Sequence, residues 1–435
     1  MKKTSLLLVL PVLLGALTGC KPANPDGMTT IKLSLMNSTN ENPGWLAQIA
    51  KANELMAKDG VKIKIKDEII EATDWNTFAT KINANMAGGS GGTIVRMAES
   101  HIAGMIAKKQ LQDITSLKNE LLATNEYDHT AFDGVATVDG KTYGLPTGTQ
   151  HMVLYYNKDF FDNRKVSYPS SDWDNASTFA EIAQMAKDLT YEVNGHKLFG
   201  ISASPALAYA GMYAVNSGGY NIFNEQGQPV INTEPFYEIY EWFDQMIKVD
   251  KTMPSTSDTQ LVDAINRFKG GNIAMMVDGV WQLHDIIKYT EFEVGVAAIP
   301  VLDKQYKSHT TRFTDRFIAL RSSRTPEQDK IALKYLMKAE AISELALKSV
   351  GGYPVCTSCI DDFEQGLVNS KLSDYALTIK EGRQNVVDVP YSEYYNRVDT
   401  RINQKMSAWL NGDMTSAEFV DYMQDSMLKG INGTI

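Results

Sequence analysis

TIKLSLMNST, residues 30–39, is the first stretch of the chain in which apolar and polar residues alternate, as they do in a half-buried β-strand. A helical pattern follows over residues 44–60, and VKIKIKDEII, residues 61–70, alternates again. A second helical pattern over residues 75–89 leads through glycines into a third predicted strand at TIVRMAES, residues 93–100. The order strand, helix, strand, helix, strand predicts an α/β fold with a mostly parallel sheet.

The rest of the chain continues this alternation of strands and helices. An amphipathic helix is predicted over residues 173–189, and a short buried strand follows at residues 198–204. A capping box at residues 325–328 starts a helix that continues to residue 350, and residues 391–428 also show a helical pattern. A chain of 435 residues is more readily divided into two lobes than folded around one core.

The N-terminus has the layout of a secretory signal: two lysines, the apolar stretch SLLLVLPVLLGAL, and small residues before Cys20. LTGC, residues 17–20, resembles a bacterial lipobox, in which the cysteine is acylated and becomes the first residue of the mature chain. We therefore predict a signal peptide over residues 1–19, a lipidated tether over residues 20–29, and an extracytoplasmic protein held on the cell membrane by its lipid. An ordinary signal peptide with an incidental cysteine is the alternative.

The charge and the cysteines exclude several classes of partner. The chain has 42 basic and 52 acidic residues, a net charge of -10, and its basic residues form no block of the kind that follows nucleic-acid backbones. Beyond Cys20 only Cys356 and Cys359 remain, and these two could form one local disulfide. Two thiols without a second pair or nearby histidines are an incomplete metal-ligand set, so we expect neither a metal nor a cofactor.

Five stretches resemble, in this order, the family 1 extracellular solute-binding proteins of ABC importers, the maltose-binding-protein-like group. They are TYGLPTGTQHMVLYYNKDFF (142–161), WDNASTFAEIAQMAKDLT (173–190), AINRFKGGNIAMMVDGVWQLHDI (264–286), VGVAAIPV (294–301) and GGYPV (351–355). The resemblance implies the two-lobed α/β fold of type II periplasmic binding proteins, whose lobes are joined by crossover hinge strands and close over a ligand. It places the crossings near residues 148–152, 311–316 and 351–355, the N-lobe at 30–149 and 312–352, and the C-lobe at 150–311 and 353–435.

The resemblance also implies a function. It predicts a monomeric, non-enzymatic protein that captures a carbohydrate, an oligosaccharide, in the interlobe cleft and delivers it to the permease subunits of an ABC transporter. Three alternatives stay open: a surface glycan-active hydrolase, an adhesin, and a binder of a non-sugar solute such as a peptide or a polyamine. GGSGG, residues 88–92, satisfies the G-x-S-x-G pattern of serine hydrolases, but a helix precedes it and a strand follows it, the reverse of a nucleophile elbow.

Aromatic rings are the first group of candidate ligand-binding residues, because a flat ring packs against the apolar face of a sugar. Trp281, in the segment DGVW, matches a ligand-facing aromatic position of the family, and Tyr209 matches another. Tyr394 and Tyr395 lie in a segment that supplies a stacking aromatic. A core position is the alternative for Trp281.

Polar residues form the second group. Asn37 and Glu99 follow the first and third strands, Gln150 lies at the first crossing, and Asp278 precedes Trp281. A structural hydrogen bond is the alternative for each of them. Arg316 lies at the second crossing, where it is either part of a hinge ion pair or a fork for a carboxylate-bearing ligand.

Overall fold

The computed structural model describes residues 27–38, 41–340 and 352–434. The predicted signal peptide, the lipidation site Cys20, most of the predicted tether and the end of the helix predicted to reach residue 350 lie outside these ranges. Within them, no helix is long and apolar enough to span a bilayer.

The strands are β1 (Thr29–Met36), β2 (Ile63–Ile70), β3 (Ile94–Met97), β4 (Thr137–Val138), β5 (Lys141–Thr142), β6 (Gly144–Pro146), β7 (Gln150–Asn157), β8 (Tyr191–Val193), β9 (His196–Ser202), β10 (Ile273–Gly279), β11 (Val294–Ala297), β12 (Thr310–Phe313), β13 (Arg316–Ala319) and β14 (Val386–Asp388). The helices are α1 (Asn42–Lys58), α2 (Trp75–Ala87), α3 (Glu99–Ala107), α4 (Thr115–Leu122), α5 (Lys158–Arg164), α6 (Phe179–Asp188), α7 (Leu207–Val215), α8 (Glu234–Asp244), α9 (Thr256–Leu261), α10 (Ala264–Lys269), α11 (Leu283–Tyr289), α12 (Pro326–Glu340), α13 (Thr357–Val368), α14 (Ala376–Gly382), α15 (Tyr395–Leu410) and α16 (Ser416–Ile431).

The first sheet has the strand order β2-β1-β3-β13-β6. β1 pairs in parallel with β2 and β3, and β13 inserts antiparallel between β3 and β6. The predicted alternation in β1 is observed, since Ile31 and Leu33 are buried while Lys32 between them is exposed. Apolar residues of α1 and α12 pack on one face of this sheet and those of α2 and α3 on the other, and we call this part the N-lobe.

The second sheet has the order β14-β12-β7-β10-β9-β8, with β11 also paired to β7. β7 is its central strand: every residue is buried, and it pairs antiparallel with β10, β11 and β12. Its central residues MVLYY, 152–156, form an apolar run, which is typical of a strand covered on both faces. The helices from α5 to α8 and the C-terminal helices α15 and α16 complete its core, and we call this part the C-lobe.

The chain crosses between the sheets at adjacent positions. Residues 147–149 connect β6 to β7, and residues 314–315 connect β12 to β13. A third segment joins them, because Tyr353 and Thr149 exchange backbone hydrogen bonds of 2.8 and 2.9 Å. The predicted two-lobed α/β architecture is confirmed. The exact lobe boundaries stay a prediction, and β12 belongs to the C-lobe sheet as far as Phe313, two residues beyond the predicted boundary at residue 311.

Candidate ligand-binding cleft

A cavity of about 400 Å³, here called the cleft, lies between the two lobes. Glu99 and Trp281 in its walls directly follow β3 and β10, and open α/β sheets bind ligands at the carboxyl ends of their strands. The N-lobe contributes Met36, Glu41, Asp74, Trp75, Asn76, Ala98, Glu99, Ser100 and His101. The C-lobe contributes Gln150, Ala206, Ala208, Tyr209, Trp281, Phe313, Tyr391, Tyr395, Asn396, Asp399 and Asn403, and Asp315 lies at the crossing.

The C-lobe wall is built around Trp281. Its indole lies over the backbone of Gly279, where a Cβ atom would come within 2.1 Å of the ring, so the turn after β10 requires glycine at this position. Phe313 packs edge-on against Trp281 at 5.7 Å between ring centroids and against Tyr209 at the same distance. Trp281 is only half-buried, and its outer part faces the cleft. The rings therefore hold one another in place, as a stacking surface for a sugar requires.

Tyr391 and Tyr395 extend this aromatic wall. Their rings meet edge-on at 4.7 Å, and the hydroxyl of Tyr395 is buried with no hydrogen-bond partner among the described residues. Tyr394 does not line the cleft; its ring packs against Gly430 of α16, where an added Cβ would lie 2.8 Å away. The prediction thus placed Tyr395 at the cleft, whereas the second cleft-facing tyrosine of this segment is Tyr391.

The N-lobe wall depends on Arg96, which is 4% exposed and bridges two carboxylates. Its guanidinium nitrogens lie 2.7 Å from Glu41 and 2.7 Å from Asp315. The same guanidinium lies 4.8 Å from the ring of Trp45 and 5.3 Å from that of Trp75, within cation–π range. Burial raises the pKa of Asp315 to about 6, against the opposing effect of Arg96. Arg96 therefore pairs with two carboxylates of this wall and fixes the ring of Trp75.

Arg316 does not face the cleft. It is 1% exposed and donates hydrogen bonds to the carbonyl of Ala131 at 3.1 Å, to that of Asp133, and to Glu99 at 3.0 Å. Burial raises the pKa of Glu99, and Arg316 opposes this shift. These acceptors enclose the side chain, as expected for a hinge ion pair. The same contacts contradict the alternative, in which Arg316 is a fork for a ligand carboxylate.

The other polar candidates divide into those that reach the cleft and those that do not. Glu99 and Gln150 line it. Asn37 does not; its side chain hydrogen-bonds Glu71 at 2.9 Å and Asn42 at 3.1 Å. Asp278 accepts from the backbone N–H of Gly279 at 2.7 Å and from Gln282 at 3.2 Å, and it lines a neighbouring cavity of about 370 Å³ that shares Tyr209 with the cleft. Burial raises the pKa of Asp278 to about 6.

Several cleft residues were not predicted, and some carried a local signal. Asp74 caps α2 by accepting the N–H of Thr77 at 2.8 Å. An aspartate at this position is a sequence signal for the start of a helix, and both Asp74 and Trp75 line the cleft. His101 lies at the first turn of α3 and contacts the C-lobe, with 2.9 Å between its Nδ1 and the side-chain nitrogen of Asn396. Burial lowers the pKa of His101 to about 4, so the ring is neutral at pH 7. Nothing in the local sequence indicates that Asp399, near the start of α15, reaches the cleft.

The cleft offers hydrogen bonds and ring surfaces rather than metal ligands. Among residues 27–38, 41–340 and 352–434, no three histidine, cysteine or acidic side chains are grouped so that they could hold a metal ion.

Comparison with known proteins agrees with this geometry. The sequence matches the family described as bacterial extracellular solute-binding protein over residues 47–367, more than half of the chain. The chain belongs to this family. The predicted resemblance to solute-binding proteins is thereby confirmed.

Individual relatives of this solute-binding protein are distant. Three Brucella binding proteins are 25% identical over 62% of this chain and 64% of their own length, so the chain spans less than two-thirds of these relatives. A maltooligosaccharide ABC transporter solute-binding lipoprotein of Streptococcus pneumoniae serotype 4 is 24% identical over 68% of this chain and 65% of its own. An ABC substrate-binding protein from Listeria monocytogenes, solved in complex with cycloalternan, superposes with a TM-score of 0.80 at 22% identity, over 93% of this chain and 99% of its own. The last comparison shows a shared fold.

Proposed function

We propose that this solute-binding protein captures a neutral oligosaccharide in its cleft and delivers it to the permease of an ABC importer. The observation that carries the proposal is the division of the cleft into an aromatic C-lobe wall, with Trp281 and Tyr209, and a hydrogen-bonding N-lobe wall, with Asp74 and Glu99. A pyranose has the same division, since its C–H faces are apolar and its hydroxyls lie around its rim. The relative from Streptococcus pneumoniae is named for maltooligosaccharides, which supports this class of ligand.

The charge of the cleft favours a neutral sugar over an acidic one. No lysine or arginine is found among the described residues that line it, and His101 is neutral at pH 7 because burial lowers its pKa. The lining carboxylates are Glu41, Asp74, Glu99, Asp315 and Asp399. A uronate would enter this site without a cation to pair with, and an unpaired charge in a partly buried site is strongly disfavoured. Carboxylates accept hydrogen bonds from sugar hydroxyls, and such charge-assisted bonds are the stronger kind.

Membrane attachment and partners form the second part of the proposal. We infer that Cys20 carries a lipid that holds the protein at the outer face of the cell membrane, beside its permease. The protein works as a monomer, binds without catalysis, and closes its lobes around the sugar. The contact between His101 of the N-lobe and Asn396 of the C-lobe supports such closure, because it joins the two walls at the cleft.

A thermal-shift panel tests the proposal with oligosaccharides of equal length. A neutral gluco-oligosaccharide and a neutral manno-oligosaccharide are compared with an oligogalacturonate, and the sugar is recovered afterwards for mass analysis. Ligand at 100 times its dissociation constant stabilises the folded state by about 2.7 kcal/mol, so a true ligand raises the melting temperature by several degrees. Stabilisation by the oligogalacturonate alone contradicts a neutral sugar, and shortened sugar in the recovered sample supports the glycan-active hydrolase instead.

A further inference from the structure

Helix α13 connects the two lobes. Cys356 and Cys359 at its start belong to the apolar core of the N-lobe, whereas Phe363 and Leu367 near its end belong to the core of the C-lobe. The segment before the helix is held by the third crossing, where Tyr353 pairs with the first crossing. Any change at the first turn of α13 therefore acts on the region that joins the lobes.

The two thiols lie across this first turn. Cys356 is the N-cap residue, and its sulfur accepts the backbone N–H of Cys359 at 3.3 Å and lies 3.2 Å from the hydroxyl of Ser358. Residues three apart at a helix start are close enough for a disulfide, whose Cα atoms are usually about 4.4 to 6.8 Å apart. Both cysteines are free in this structure.

The surroundings make the two thiols unequal. The sulfur of Cys356 faces the N-terminus of α13, where unpaired N–H groups favour a thiolate. Hydrogen bonding from Cys359 lowers the pKa of Cys356 to about 6, and the same contact raises the pKa of Cys359. The proton of Cys359 has a second acceptor, the carbonyl of Glu340 at 3.2 Å.

Two buried groups accompany the thiols. The carboxyl of Glu340 accepts the N–H of Val355 at 2.8 Å, and burial raises its pKa to about 8, so it can hold a proton near neutral pH. The hydroxyl of Tyr127 is buried without a hydrogen-bond partner among the described residues. Burial, with further contributions from Glu340 and both thiols, raises the pKa of Tyr127.

A surface cavity of about 690 Å³ leads to Cys356. Its lining includes Cys356, which is itself 1% exposed, and the exposed residues Asp59, Glu126 and Ser358. Cys359 does not line the cavity. The cavity therefore reaches Cys356 and not Cys359.

We propose that Cys356 and Cys359 are a redox-active pair that exchanges with the disulfide of an extracytoplasmic thiol oxidoreductase. The thiolate of Cys356 attacks one sulfur of the partner's disulfide, which forms a mixed disulfide and releases the partner's other sulfur as a thiolate. Cys359 then attacks the sulfur of Cys356 while its proton passes to the departing sulfur of the partner, which forms the intrachain disulfide and breaks the mixed disulfide. The two electrons given up by the cysteines reduce the partner's disulfide, and the partner's first thiolate takes up a proton from solvent, which balances the proton that Cys356 had already released. The product fixes the first turn of the helix that joins the lobes.

Glutathione is the probe for this chemistry, and full-length protein with Cys20→Ala leaves only the two thiols of interest. The protein is equilibrated in mixtures of reduced and oxidised glutathione, quenched with acid, alkylated and weighed intact. We expect both thiols to disappear together in one reversible two-electron transition. Two thiols that stay alkylatable at all glutathione ratios, or a disulfide that no ratio reduces in the folded protein, would overturn the proposal.

Single variants test the assigned roles. Cys359→Ser should trap glutathione on Cys356, whereas Cys356→Ser should react at least about 10-fold more slowly, because Cys359 does not line the cavity and its pKa is raised. If the two folded serine variants trapped glutathione at equal rates, the assigned roles would be refuted. The control is the same measurement in guanidinium, where the unfolded variants should react at equal rates.

Discussion

The two walls of the cleft achieve rigidity by different means. In the C-lobe, Trp281 and Tyr209 are fixed by edge-on packing on the shared ring of Phe313. In the N-lobe, Trp75 is fixed by Arg96, a cation whose own position is set by two carboxylates. We therefore expect the aromatic wall to lose one ring with little loss of folding stability. The folding stability of the charged wall, by contrast, depends on Arg96 alone among these contacts. The predictions below test this difference.

The largest effect is expected from Arg96→Ala. The change leaves the carboxylates of Glu41 and Asp315 partly buried without their cation, and breaking such a pair from one side typically costs about 3 to 5 kcal/mol of folding stability. Denaturant unfolding of the ligand-free protein measures it. Arg164→Ala is the control, since Arg164 also lies over a ring, that of Tyr191, but is exposed. A loss for Arg96→Ala no larger than that of the control would contradict the proposed role of Arg96.

Trp281→Ala should act on binding instead. Loss of a well-packed aromatic anchor weakens affinity by about 1 to 3 kcal/mol, or roughly 5- to 150-fold, with only a small change in the stability of the ligand-free protein. Titration of the oligosaccharide found in the thermal-shift panel measures this. Trp409→Ala is the matched control: Trp409 is fully buried and stacked on Phe419 at 5.2 Å, so its removal should cost stability and leave affinity unchanged. If Trp281→Ala behaves like Trp409→Ala, Trp281 is a core residue.

Strand and helix periodicity predicted most of the fold. The alternation in residues 30–39 and 61–70 predicted β1 and β2, because one face of each strand is buried and successive side chains alternate between the two faces. The pattern also predicted the helix over residues 75–89, observed as α2. The lobe boundary near residue 311 stays a prediction. Only two residues separate β12 from β13, which lie in different sheets, and the sequence shows no change where the chain passes between them.

Part of the site could be predicted from the sequence. Glu99 follows a strand, which places it at the carboxyl edge of the sheet, whereas Trp281 was inferred from its match to a ligand-facing position of the family. Arg316 could not be assigned in this way, since its partners Ala131 and Asp133 lie more than 180 residues away in the chain. Asp399 escaped prediction for the same reason: only the packing of α15 against the N-lobe brings it to the cleft.

Trp75→Ala should weaken binding less than Trp281→Ala does. One face of the Trp75 ring is covered by Arg96 and its edge is packed against Phe78, so less of it is free to contact a sugar. We expect a loss of about 1 kcal/mol, or roughly fivefold, seen mainly as faster dissociation because the N-lobe wall closes over ligand already held by the C-lobe. Trp75→Phe should recover most of it. A loss larger than that of Trp281→Ala would reverse the order of the two walls.

The smallest predicted effect concerns Asp399, the one carboxylate on the aromatic wall. Burial raises its pKa to about 6 despite a hydrogen bond from Asn403 at 2.9 Å. If the carboxylate accepts a sugar hydroxyl, affinity is highest above pH 6 and falls, by about threefold, as the group is protonated below pH 6. Folding stability must change in the opposite direction. Between pH 3.8 and pH 6 the folded carboxyl keeps a proton that the unfolded carboxyl, whose pKa has its ordinary value of 3.8, has released. The contribution of this proton to folding stability is therefore full below pH 3.8 and is lost as the pH rises through 6.

Asp399→Asn separates this effect from other groups. Asp278 and Asp315 also have a pKa near 6, so the informative quantity is the difference between the wild-type protein and Asp399→Asn at each pH. Between pH 7.5 and pH 5, that difference should show affinity falling while stability rises. A structural carboxyl that never meets the ligand gives the stability change alone. Affinity that is independent of pH in the wild-type protein would therefore remove Asp399 from the ligand contacts.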